Sequence, residues 1–220
     1  MVIEAVIFDL DGLLVDSEPV WDEARRAMAD EAGTSWTSDD HKAVMGVSTQ
    51  EWADYMIDRL ELERSPQEVI DEVVARMVAM YRSGVPYLPG AIDSVDLATS
   101  HYPTALASGS HPTLVEAVMA DEALRGKFQV VVTADEVGAG KPAPDVYLVT
   151  AGRLGVPPEA CVCVEDSGNG ILAGVRAGMK VIAVPDPRFP PDAEVLDQAD
   201  AVLPSLSELS LELLEELGSR

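Results

Sequence analysis

Asp9 and Asp11 stand two residues apart, directly after a four-residue apolar run, Ala5 to Phe8, and Gly12 follows them. Desolvation opposes a carboxylate at the end of a buried strand, and a second carboxylate adds repulsion. Similar groups recur further along: Ser108, Gly109 and Ser110 in "ASGS", Lys141 in "GAGKPAP", and Glu165 and Asp166 in "VEDSGNG". Clustered carboxylates suit a hard divalent cation such as Mg²⁺. A lysine and a small hydroxyl beside glycine N–H groups suit phosphate oxygens. With a metal in place, one carboxylate can attack phosphorus while the other handles protons. That division of labour gives Asp9 and Asp11 a reason to coexist.

Short apolar runs precede each of these groups, and they must position them. Val2 to Leu10, Thr104 to Ser108, Gln129 to Thr133, Cys161 to Glu165, Lys180 to Pro185 and Ala201 to Leu203 read as strands. Beyond residue 111, segments of helical length separate them. "PAPDVYLVTAGRLG" has prolines to open a helix and Gly155 to close it, and "GNGILAGVRAGM" repeats the scheme with Gly178. Near-continuous apolar strands alternating with helices indicate α/β architecture, a Rossmann-like parallel sheet covered on both faces. In such a sheet, ligands bind beyond the carboxyl ends of the strands. Four of the strand ends deliver ligand-type residues, which chance placement of turn residues explains poorly.

The first strand is followed by a long departure from this rhythm, with helix signals and no strand. Val20, Ala24, Ala27 and Met28 share one helical face. "STQE" at Ser48 and "SPQE" at Ser65 read as capping boxes, the first before Trp52, Met56 and Leu60, the second before Val69, Val73 and Met77. Residues 15–85 are therefore expected to form a helical domain inserted into a core made of residues 1–14 and 86–220. Near the C-terminus, Ser205 and Glu208 are placed to cap a last helix carrying Leu209, Leu213, Leu214 and Leu217.

Bulk properties set limits. The net charge of −24, from 39 acidic and 15 basic residues, argues against nucleic-acid or anionic-membrane partners. An anionic ligand would need local cations to overcome that field. No run approaches the roughly 18 apolar residues of a membrane span, and no basic N-terminal segment precedes Arg25. Cys161 and Cys163 lie on one face of a strand and read as reduced core thiols, which fits a cytoplasmic protein.

"DLDG" after an apolar strand, "ASGS", "GKPAPDVY" and "VEDSGNGI", in this order, resemble the four motifs of the haloacid dehalogenase superfamily. The long insertion after the first motif is similar to the helical cap of its first subclass. The resemblance implies a Mg²⁺-dependent phosphatase acting on a small phosphorylated metabolite, such as a sugar phosphate. Asp9 would be the nucleophile that forms an aspartyl-phosphate. Asp11 would protonate the leaving group and then deprotonate water. Ser108 and the N–H of Gly109 would hold phosphate oxygens, with Gly12, Ser110 and Thr49 lining the substrate, and Lys141 would neutralise charge. Mg²⁺ would sit between Asp9, the carbonyl of Asp11, Asp166 and Glu165.

The resemblance also frames the alternatives. β-Phosphoglucomutases of this subclass carry an arginine after "GVS" in the cap loop, where this chain has Thr49, and a histidine near Trp21. Both departures favour hydrolysis over mutation. Phosphonate hydrolysis would need a cap lysine, here only Lys42, and dehalogenases usually lack the second aspartate. A non-catalytic phospho-acceptor module is the reading from another class. A monomer is expected, since a capped member has no need to dimerise.

Overall fold

The computed structural model describes residues 2–44, 49–133 and 136–219, without the side chain of Lys42. Ser48, the expected cap of one helix, and the "MGVS" stretch before Thr49 lie outside the described residues. The chain divides into two compact units, Met1–Asp16 with Pro86–Arg220, and Ser17–Val85.

The inserted unit contains helices α1 (Glu18–Glu31), α2 (Ser38–Ala43), α3 (Thr49–Leu60) and α4 (Pro66–Ser83). The capping box at Ser65 and Glu68 opens α4, and Val69, Val73 and Met77 are buried beneath it. On α3, Trp52, Met56 and Leu60 are buried, the stripe their spacing predicts. The buried face of α1 is turned from the expected one. It carries Ala24, Arg25, Met28 and Ala29, whereas Val20 and Ala27 are only half-buried. The Arg25 guanidinium lies 4.7 Å from the Trp21 ring and 5.5 Å from the Trp52 ring. Apolar periodicity cannot register an arginine that is buried through aromatic faces.

The other unit is built on a six-stranded parallel sheet. Its strands are β1 (Ala5–Phe8), β2 (Thr104–Ser108), β3 (Val130–Thr133), β4 (Cys161–Glu165), β5 (Lys180–Ala183) and β6 (Ala201–Val202), in the order β3-β2-β1-β4-β5-β6. Helices α5 (Ala91–Thr99), α6 (Pro112–Met119), α7 (Asp145–Leu154), α8 (Gly168–Ala177), α9 (Ala193–Leu196) and α10 (Leu211–Ser219) accompany it. Every residue of β1, β2 and β4 is buried, as near-continuous apolar strands covered on both faces require. Gly155 and Gly178 end α7 and α8 in the left-handed region, with φ of 73° and 78°.

Two local differences from the sequence reading have simple causes. β1 is shorter than Val2 to Leu10 because Val2 is exposed and Leu10 already starts a turn, its carbonyl accepting from both Leu14 N–H and Val15 N–H. Ser205 caps only a 3₁₀ turn, Leu206–Glu208, and α10 begins at Leu211. Extended backbone at Leu209, with ψ of 127°, separates the two.

The layer of α8 against β4 sets where Glu165 and Asp166 emerge. A Cβ at Gly174 would lie 2.3 Å from the Cys163 sulfur, so that glycine lets the helix approach the sheet. Gly174→Ala should therefore lower unfolding free energy by about 1–3 kcal/mol through overpacking. Urea denaturation would measure it, and an unchanged midpoint would show that the layer has slack.

Candidate active site

The sheet order places β1 beside both β2 and β4, and the next connections diverge from there. The crevice beyond β1 and β4 is thus the point where strand order reverses, a natural ligand site in such sheets. Asp9 follows the last residue of β1, and its N–H bonds Val164 O of β4 at 3.1 Å. Glu165 ends β4 and Asp166 follows. Carboxylate oxygens of Asp9, Glu165 and Asp166 lie within 4.8 Å of one another.

Lys141, from the segment between β3 and α7, is inserted among them. Its ammonium donates to Asp9 Oδ1 at 2.5 Å, Glu165 Oε1 at 2.6 Å and Ala107 O at 3.1 Å. These bonds engage all three of its protons. Burial works against the ammonium, but Asp9 and Glu165 outweigh it and hold its pKa well above the usual lysine range.

Glu165 is wholly buried and satisfied at both oxygens. Oε1 accepts from Lys141 and from the Tyr147 hydroxyl at 2.7 Å; Oε2 accepts from Asp166 N–H, Ser167 N–H and Ser167 Oγ. A Cβ at Gly170 would fall 1.9 Å from Oε1, so only glycine leaves room for the carboxylate over the start of α8. With this many donors, Glu165 is held as a fixed acceptor for Lys141 and the loop.

The electrostatics leave one requirement unmet. Burial pushes Asp9 up to about 8, against the pull of Lys141 and with added repulsion from Glu165 and Asp11. Burial, with Glu165 and Asp9 beside it, also raises Asp166 well above the usual carboxylate range. One ammonium does not neutralise this group. Asp166 Oδ1 is buried with no hydrogen-bond partner among the described residues, which calls for an explanation in a polar site. A divalent cation with oxygen ligands fits both facts and the donor set. Gly12 supports the same arrangement: it sits at φ 78°, and a Cβ there would lie 2.2 Å from Asp166 Oδ2.

Asp11 faces the other side of this loop. Its Oδ2 accepts from Ser110 Oγ at 2.5 Å and from Ser108 Oγ at 3.5 Å, and Ser108 Oγ accepts from Ser110 N–H at 3.0 Å. Ser108 is buried at the end of β2, whereas Gly109 has open space around it. Asp9, Asp11, Gly12, Ser108, Ser110, Lys141, Glu165 and Asp166 thus converge in one unit. Thr49 is the first residue of α3, in the other unit.

Two contributors are invisible in the residue pattern. Tyr147 looks like a core residue of an amphipathic helix, yet its hydroxyl braces Glu165 and its ring lies 5.1 Å from the Lys141 nitrogen. Gly170 looks like an ordinary small residue in a helix.

Comparison with known proteins finds relatives of the whole chain and of its fold. The family model for haloacid dehalogenase-like hydrolases matches residues 3–178. Hexitol phosphatase B of Escherichia coli (strain K12) is 36% identical over 209 residues, 94% of each chain. Fructose-1-phosphate phosphatase YqaB of the same strain is 34% identical over 179 residues, covering 81% of this chain and 95% of that one. Among solved structures, CbbY from Rhodobacter sphaeroides in complex with phosphate superposes with a TM-score of 0.82 at 27% identity, covering 97% of this chain and 99% of that one.

The raised carboxylates predict a proton-linked metal site. Asp9 moves from an ordinary 3.8 to about 8 in the metal-free fold, so its contribution favours folding at low pH and is lost as pH rises through about 8. A divalent cation must displace that proton. The rise in melting temperature with saturating Mg²⁺ should therefore be larger at pH 8.5 than at pH 5.5, and calorimetry should show protons released on binding at pH 5.5. A shift of equal size at both pH values would show that metal binding is not linked to a proton on Asp9.

Proposed function

The chain belongs to the haloacid dehalogenase-like hydrolases, and from that premise we propose that it is a Mg²⁺-dependent phosphatase that dephosphorylates a sugar or sugar-alcohol phosphate through an aspartyl-phosphate on Asp9. The observation that carries this reading is the position of Asp9. It lies at the strand-order reversal, bonded by Lys141 at 2.5 Å and next to Asp166, whose Oδ1 has no hydrogen-bond partner among the described residues.

Asp9 keeps a side-chain exposure of 8%, enough for an oxygen to reach a phosphorus atom presented from the crevice. Attack forms the Asp9–phosphorus bond and breaks the bond from phosphorus to the substrate oxygen. Asp11 gives that leaving oxygen its proton. Asp11 then takes a proton from water, whose oxygen attacks phosphorus and breaks the Asp9–phosphorus bond, releasing inorganic phosphate, freeing the Asp9 carboxylate and returning Asp11 to its protonated form. Ser110 holds Asp11 through Oδ2, so a leaving oxygen must replace or join that contact. The Ser108 hydroxyl and Gly109 N–H supply donors to phosphate oxygens. Lys141 stays protonated throughout and neutralises charge on Asp9 and the phosphate. Asp9, Asp166 and the Asp11 carbonyl, with Glu165 beside them, would hold Mg²⁺, which would supply the remaining positive charge that a net charge of −24 denies an anionic substrate. The relatives that act on hexitol and fructose phosphates support the substrate class.

Phosphate release from a panel of hexitol, hexose, pentose and nucleoside phosphates tests this reading. Asp9→Asn should lower turnover by at least about a thousandfold, and EDTA should abolish activity until Mg²⁺ is restored. A wild-type protein that interconverts sugar-phosphate isomers with little free phosphate would move the assignment to a mutase. Stable phosphorylation without turnover would move it to an acceptor module.

A further inference from the structure

Outside the carboxylate cluster, one charged group joins two loops that the mechanism depends on. Arg188 lies in the segment after β5. Its Nε donates to both oxygens of Asp186, at 3.0 and 2.9 Å, and its Nη2 reaches Asp186 Oδ2 at 2.6 Å. The opposite edge of the same fork faces Asp16, with Nη2 at 2.6 Å from Oδ1 and Nη1 at 3.5 Å from Oδ2. The Arg188 N–H also bonds Asp186 Oδ1 at 2.8 Å, which fixes the start of the fork.

Both anchors lead back to the active site. Asp16 ends the loop that begins at Asp9. Within that loop Gly12 N–H bonds Val15 O at 2.8 Å, so Asp11 sits in a closed turn whose exit is Asp16. Asp186 follows β5, and Val184 N–H bonds the backbone carbonyl of Glu165 at 2.7 Å. Arg188 therefore spans from the loop of Asp9 and Asp11 to the segment hydrogen-bonded to Glu165, the residue beside Asp166.

We propose that Arg188 is a positioning residue, clamping the Asp9–Asp16 loop through Asp16 to the segment after β5, and so fixing Asp11 relative to the carboxylates of β4. This rests on the phosphatase reading for its effect on turnover, though the clamp itself is a property of the loops. Arg188 is suited to it because a planar guanidinium can bind two carboxylates along two edges, which an ammonium cannot. The group is partly exposed, with side-chain accessibilities of 43% for Arg188 and 30% for Asp16. Exposed ion pairs contribute little to global stability. Loss of the clamp should then appear in loop order and turnover and leave the unfolding transition nearly unchanged.

The experiment compares wild type, Arg188→Gln, Asp16→Asn, the double variant and Arg188→Lys. Hydrogen exchange is read on a peptide covering residues 10–16, and kcat and KM on the best substrate of the panel. Expected are roughly tenfold faster exchange in that peptide and roughly tenfold lower kcat for Arg188→Gln. KM should change less than about twofold. Asp16→Asn should match it, the double variant should be no worse than either single one, and Arg188→Lys should recover only part of the loss. Unchanged exchange in residues 10–16 would overturn the clamp whatever the activity, as would strictly additive losses in the double variant. An inactive wild type would count against the phosphatase reading alone, and exchange would still decide the clamp.

Discussion

Three carboxylates cannot share the end of two adjacent strands in a buried site unless positive charge is brought to them. Lys141 supplies the part of that charge which is covalently built in, and its three bonds reach Asp9, Glu165 and the backbone of β2. Much of the surrounding design serves this contact. Tyr147 braces Glu165 from α7, the Asp166 and Ser167 N–H groups and the Ser167 hydroxyl hold its other oxygen, and Gly170 leaves room for it. The lysine is thereby oriented by a carboxylate that is itself immobilised. The charge it leaves unbalanced is what a divalent cation with oxygen ligands would offset.

The parallel sheet makes such a cluster reachable from distant parts of the chain. Asp9 and Glu165 are far apart in sequence, but β1 and β4 are neighbours, with Phe8 paired to Val164. Ser108 arrives from β2 on the opposite flank of β1, paired with Thr133 of β3. Because all strands point the same way, their carboxyl ends open into one crevice, and each contributes a different chemical type there. The strands carry almost no polar residue until they end, so within the sheet the cost of burying charge is concentrated at the strand ends.

Much of this was legible in the residues. Apolar runs ending in Asp9, Ser108 and Glu165 are strands whose buried length and polar tip coincide, so pattern and function reinforce one another. Glycines that end α7 and α8 are legible because a left-handed φ restricts residue choice. The family follows from motif order, since four separate motifs at strand ends leave few alternatives. What was not legible depends on three-dimensional surroundings. Arg25 is buried by two indole rings, which turns α1 away from its apolar stripe. The role of Tyr147 is hidden because one hydroxyl does not alter helical periodicity. α10 begins after extended backbone at Leu209, where Ser210 Oγ accepts from Leu213 N–H; with Ser205 and Ser207 just before it, the residues alone do not single out that cap.

The excursion Ser17–Val85 leaves and rejoins the sheet-bearing unit at one paired site, where Asp16 N–H bonds Pro86 O at 2.8 Å and Val15 bridges Tyr87 in antiparallel fashion. A segment whose two ends are already tied together transmits little of its own length to the scaffold, because loop closure grows only slowly more costly as residues are added. Such a junction behaves like a socket. Over evolutionary time the inserted helices can be lengthened, trimmed or exchanged for others while the strand ends keep their register. A change confined to the insert then need not disturb the strand ends that carry Asp9, Ser108 and Glu165.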